Sequence, residues 1–267
     1  MSQAEVDTPL DDAAVEARRA AARAVRTAFR DSGVHAMLEV AATRAAPAVS
    51  VTIPLVGTGG SPFPVGTGLP LPDGAGPLQQ LLAHHDIHAQ VTVVELGPDP
   101  ALLVALPTGD DALRLAALVI ERRSEAHDAA LRLRGAFAGI GITEDHIYVT
   151  DGTVQVGDIS VQDAITLYDV LTGGQRNDAA ELDLGDRWDP WPWREVEKLA
   201  KLMGPVVSQA AGAPLDCIPH PACRTCISSR PHRITLGSAS PQPVLLLADA
   251  ISSANSSSTS GASPPAN

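Results

Sequence analysis

Aromatic residues are scarce in this chain: Phe, Trp and Tyr make up only 3% of its 267 residues. The hydrophobic share is nonetheless 45%, which excludes a wholly disordered chain. The core must therefore be built from Ala, Val, Leu and Ile. A continuous run of about 18 apolar residues, the length that crosses a bilayer, is missing too. The opening MSQAEVDTPLDDAAVEARR is acidic where a secretory leader would be basic and then apolar. A cytoplasmic location is the expectation. Cysteine is limited to Cys217, Cys223 and Cys226, too few and too close together for a disulfide framework.

Positive charge is in deficit. There are 19 Lys and Arg against 31 Asp and Glu, a net charge of −12, although residues 215–267 hold three Arg and only two Asp. A field of this sign opposes nucleic acid and anionic membranes and suits solubility and a basic or neutral partner.

What is present begins with an apparent recurrence. The stretches 81–119 and 135–171 both read as helix end, strand, turn, strand, helix, with Asp111-Ala112-Leu113 falling on Asp163-Ala164-Ile165. Asp151-Gly152 between two alternating runs is a hairpin signal. In the first copy, GPDP at 97–100 makes a longer turn. A looser copy precedes them, with a helix over 13–34, on which Val15, Ala22, Val25 and Phe29 share a face, and a strand over 49–56. The segment 57–77 is rich in Gly and Pro and reads as a loop. Its glycines form no phosphate cradle, because neither Lys-Ser/Thr nor the G-x-G-x-x-G pattern is there. A hairpin with one apolar face needs helices to cover it. The expected fold is α+β: repeated helix-hairpin-helix units forming an antiparallel sheet with helices on one face, plus a small C-terminal metal-stabilised segment.

The expected boundaries follow from composition. Residues 1–10 form a flexible N-terminus, 11–172 the repeat domain and 173–187 an acidic, Gly-containing linker. Residues 188–251 form a Trp-anchored helix with a Cys/His site and a hairpin. The tail 252–267, SSANSSSTSGASPPAN, is expected to be disordered. Trp188, Trp191 and Trp193 cluster before a helix in which Val196, Leu199, Leu202 and Met203 share a face and Pro205 kinks or ends the helix. The tryptophans either staple this segment to the sheet layer or anchor a partner.

The densest chemistry is DCIPHPACRTCISSRPHR at 216–233. Cys223-x2-Cys226 has the spacing with which two thiolates grip one tetrahedral ion, and Cys217 is near enough to be a third ligand. His232 or His220 supplies the fourth, His232 being preferred because it leaves more slack. Pro219 and Pro221 oppose a continuous helix, so a loop must wrap the ion. Soft thiolates with imidazole point to zinc, with an iron–sulfur cluster or a redox Cys223/Cys226 pair as alternatives, and uncoordinated thiols as the bland one. Arg224, Arg230 and Arg233 add local positive charge suited to docking, or more weakly to phosphate. Residues 233–237 and 243–251 read as two strands of a hairpin.

Elsewhere, AHHDIH at 83–88 places His84 and His88 four apart, but the helix-to-strand turn at Asp86-Ile87 should separate them. There is no nucleophile elbow and no evident carboxylate pair. The sequence is thus read as a non-catalytic cytoplasmic adaptor or regulator that binds another macromolecule, a protein partner being favoured, and carries a structural zinc site. A DNA-associated regulator and an iron–sulfur or redox enzyme are the alternatives. The oligomeric state is left open.

Overall fold

The computed structural model describes residues 10–34, 36–55, 70–97, 99–143, 147–174, 182, 193–220, 222 and 231–259. Among them are seven helices and two antiparallel four-stranded sheets, an α+β architecture. The chain divides into two compact units, Met1–Ser124 and Glu125–Asn267.

The first unit runs α1 (Asp12–Asp31), β1 (Met37–Val40), β2 (Val49–Pro54), α2 (Ala75–His84), β3 (Gln90–Leu96), β4 (Asp99–Leu106) and α3 (Gly109–Glu121). Its sheet has the order β1-β2-β4-β3. Asp11 caps α1 by accepting the Ala14 N–H at 2.7 Å. Thr108 caps α3 by accepting the Asp111 N–H, while its hydroxyl donates back to the Asp111 carboxylate. Strand β2 alternates strictly: Val49, Val51 and Ile53 are buried while Ser50, Thr52 and Pro54 are half-buried. Helices α1, α2 and α3 all contribute to the one apolar cluster that contains those three residues together with Leu102, Val104 and Leu106 of β4. All three helices therefore lie on the same face of the sheet.

The second unit runs α4 (Glu125–Gly139), β5 (Tyr148–Thr150), β6 (Thr153–Ser160), α5 (Val161–Thr172), α6 (Trp193–Ala211), β7 (Cys217–His220), β8 (Arg233–Ala239) and α7 (Pro241–Thr259). Its sheet order is β5-β6-β8-β7. Asp151 and Gly152 take φ of 49° and 73°, the left-handed pair that a tight two-residue hairpin loop requires between β5 and β6. Ser160 caps α5 as Thr108 caps α3, here with Asp163 as its partner. Helices α4, α5, α6 and α7 share one apolar cluster with Val154, Val156, Ile159, Ile234 and Leu236 of the sheet.

Several expectations need correction. The strands do not share one sheet across 11–172, and the division of the chain falls between Ser124 and Glu125 rather than in 173–187. Strand β6, expected in the repeat domain, is hydrogen-bonded to β8, expected in a separate C-terminal segment. The second strand of the expected 233–251 hairpin is instead the start of α7, on which Val244, Leu247, Ala248 and Ile251 are buried at helical spacing. That helix also takes up residues to Thr259 of the tail expected to be disordered, while 260–267 and 1–9 lie outside the described residues. Pro205 sits inside α6 without ending it. It lies on the exposed side, where the carbonyl it leaves unpaired can be hydrated.

Candidate functional site

Strands β7 and β8 carry the described part of the Cys/His segment. Their register pairs Cys217 with Leu236, Ile218 with Thr235 and His220 with Arg233. The last pair brings the two ends of residues 221–232 side by side. Cys223, Cys226, Arg224 and Arg230 belong to that connection and lie outside the described residues, as do Trp188 and Trp191.

Successive side chains of a strand point to opposite faces, so residues three apart on β7 diverge. Cys217 packs against the apolar cluster on the helix side. His220 lies on the other side, where its Nε2 is 2.6 Å from Thr235 Oγ1. The expected wrapping loop is a strand at these two positions, and they do not converge. Burial, reinforced by the neighbouring Asp216 carboxylate, pushes the Cys217 thiol up to about 12. A thiol held protonated in this way is a poor nucleophile.

His232 is buried, 2% exposed, and its Nδ1 accepts the Ala222 N–H at 3.1 Å. A neutral ring that accepts at Nδ1 carries its proton on Nε2. Coordination through Nε2 would move that proton to Nδ1 and set it against the Ala222 N–H. Coordination by His232 would thus have to displace or rearrange this contact.

His220 belongs to a short chain of polar groups that the sequence reading missed. Thr235 Oγ1 donates to the Asp158 carboxylate across the β6–β8 pair. Having one proton to give, the hydroxyl must then accept from His220 Nε2–H. The chain Asp158–Thr235–His220 thus fixes one tautomer and leaves Nδ1 as the acceptor of the ring. This is a device for orienting an imidazole. It is not a catalytic triad, in which the imidazole stands between carboxylate and hydroxyl. Tyr148 lies on the same side of the sheet, and burial together with the Asp158 charge pushes its phenol above the ordinary value. Alternation from the buried Val154 and Val156 would have pointed Asp158 inward; the break at Gly157, whose φ is 80°, turns it to the outer face, and nothing in the sequence signals that shift. Its hydroxyl partner, 77 residues away, had no signal either.

Arg233 flanks this chain, its Nε buried without a hydrogen-bond partner among the described residues. Trp193 is half-buried and packs onto the apolar cluster of the second unit. Among the described residues no three His, Cys, Asp or Glu side chains group so as to hold a metal ion, and no helix is long and apolar enough to cross a membrane.

A cleft of about 280 Å³ in the first unit is lined by Gln79, Ala83, Asp86, Ile87, His88 and Ala89. Helix α2 ends at His84 and Asp86 takes φ of 54°, so His84 and His88 are separated by the turn, as the sequence indicates. His88 Nδ1 is instead 3.4 Å from the Asp111 carboxylate.

Comparison with protein-family models, with curated proteins and with solved structures finds no match to this chain.

Proposed function

We propose that this is a non-catalytic cytoplasmic adaptor or regulator that binds another protein through the face of its C-terminal sheet opposite the helices, beside a zinc-organised connection over 221–232. The observation that carries the reading is the pairing of His220 with Arg233. It holds the residues on either side of the Cys223-x2-Cys226 motif next to each other, and the oriented His220 imidazole stands at one of those ends. Cys223 and Cys226 would supply thiolates and His220 its Nδ1. A fourth protein ligand requires either Cys217 to leave the apolar side or His232 to give up its bond from Ala222. Zinc would act here as a cross-link that orders the connection, with no reaction to perform.

Arg224, Arg230 and Arg233 then border a docking surface suited to an acidic protein segment. The test is elemental analysis of the full chain purified without added metal. One zinc per chain, lost in the Cys223→Ser/Cys226→Ser double variant without visible absorption from iron, is the expected result. Metal-free protein in which 221–232 is protected from proteolysis as well as it is in metal-supplemented protein would refute the zinc assignment. Retardation of DNA by the full chain at low salt would refute the assignment to a protein partner.

A further inference from the structure

Each sheet has two edge strands, and an edge strand offers unpaired N–H and C=O groups to any other extended chain. Three of the four edges are blunted. Strand β5 has three residues, β1 has four, and β7 has four including Pro219, which has no N–H to offer. Strand β3 is different: QVTVVEL runs for seven residues with no Pro and no Lys.

Its edge is half closed from within. The Gln79 side chain donates from Nε2 to the Ala89 carbonyl at 2.7 Å and accepts the Val91 N–H at Oε1 at 2.8 Å. These are the contacts that a neighbouring strand would make. They also show which way the strand faces. Since Val91 N–H points away from β4, so do the backbone groups of Val93 and Glu95, the alternate residues of the ladder. Pro100 opposite Glu95 fits, because a residue without an N–H can stand only at a position where none is needed. Beyond Gln79 the outward groups are, in order, Val91 C=O, Val93 N–H, Val93 C=O and Glu95 N–H. Val93 is also 61% exposed, the most open of the large apolar residues among those described.

This order is its own complement. About a two-fold axis through Val93, antiparallel pairing joins Val93 N–H to Val93 C=O of a second copy, twice. It also joins Glu95 N–H to Val91 C=O, twice. All four groups are used, and the one position Gln79 already occupies, Val91 N–H, is the one left out. Thr92 then faces Val94 of the second copy, a cross-strand pair of β-branched side chains, and the two Val93 side chains cover each other. The two Glu95 carboxylates lie at opposite ends of the paired segment and do not meet.

We propose that β3 is the self-association edge of this protein: two copies pair through Val91–Glu95 about a dyad at Val93, joining two four-stranded sheets into one of eight. Gln79 is the stop that sets the register. A small interface of this kind supports a dissociation constant of about 1–100 μM. Because each copy carries a net charge of −12, association strengthens as salt screens the repulsion.

The experiment is sedimentation equilibrium of the full chain, with a subunit mass of 27.6 kDa, across low micromolar to several hundred micromolar concentration. The wild type is expected to dimerise, more tightly as salt is raised from about 0.05 to 0.5 M. Val93→Pro removes an N–H that the internal ladder does not use, and Val93→Lys sets two ammonium groups against each other across the dyad. Either should raise the dissociation constant about tenfold or more, and Val93→Lys should leave the circular dichroism spectrum unchanged. A wild type that stays monomeric at the highest concentration overturns the proposal, and so does a dimer that survives both substitutions.

Discussion

The Asp111 carboxylate accepts the His88 backbone N–H at 2.9 Å, tying the start of α3 to the connection between α2 and β3. The same carboxylate accepts the Thr108 hydroxyl, and Asp111 is only 4% exposed. Burial acts to raise its pKa, but the bonds from Thr108 and His88 outweigh it and hold the carboxyl below its ordinary value. A group with a depressed folded pKa stabilises the fold above its unfolded pKa. That contribution is lost as pH falls through the folded value, so the loss lies below about pH 4. Asp111→Asn should flatten acid unfolding of the first unit in this window. Asp111→Ala should cost about 2–3 kcal/mol at neutral pH by urea melts, because two donors lose their partner. A loss under about 0.5 kcal/mol would show that these bonds do not hold the turn.

Thr235 stands between Asp158 and His220. Thr235→Val keeps the side chain's shape and removes both bonds, leaving a carboxylate and an imidazole without this partner. The expected destabilisation is about 1–3 kcal/mol. If His220 also ligates zinc, affinity should fall about 10- to 100-fold in competition with a chelator, since the orienting partner of a ligating histidine is lost. Unchanged affinity would remove His220 from the ligand set while leaving the stability effect intact.

Cys217 should be the slowest thiol of the chain to alkylate. With its pKa at about 12 against an ordinary value of 9.0, the thiolate fraction at neutral pH is about a thousandfold smaller than usual. Site-resolved iodoacetamide labelling followed by peptide mass spectrometry reads this directly. A rate that levels off near pH 9 would mean that the thiol is more open than the packing indicates.

Tyr168 is fully buried on α5, and its hydroxyl has no hydrogen-bond partner among the described residues. Tyr168→Phe should be neutral or stabilising by about 1 kcal/mol. By contrast, Phe137→Ala empties a site in the same cluster and should cost about 3–5 kcal/mol. A Tyr168→Phe variant that loses more than about 1 kcal/mol would place a hydrogen-bond acceptor at that hydroxyl.

Much of the local structure was legible in the sequence because it is set by neighbours in the chain. The Asp151-Gly152 hairpin follows from turn chemistry, and the buried face of α1 with Ala22, Val25 and Phe29 follows from helical spacing. The misreadings are of two kinds. PVLLLADAI at 243–251 has an apolar run that suits a strand as well as a helix, and only its packing beside α4 decides for the helix. The boundary failed for a different reason. Nothing near 173–187 reveals that β6 before it and β8 after it are partners, since that pairing is set by register across a long intervening segment. The His220 site was half legible for the same reason: the histidine stands in the motif, while Thr235 and Asp158 reach it only through the sheet.

The pairing of β6 with β8, from Val154 opposite Ala239 to Ser160 opposite Arg233, also orders events during synthesis. The first unit has all four of its strands by Leu106 and can close while the rest of the chain is still being made. The second cannot. Its β5–β6 hairpin emerges with one flank bare and must wait through α5, α6 and β7 for the strand that covers it. This late, long-range closure makes the second unit the slower to fold, and the interval before it is when the nascent chain is most open to misassembly.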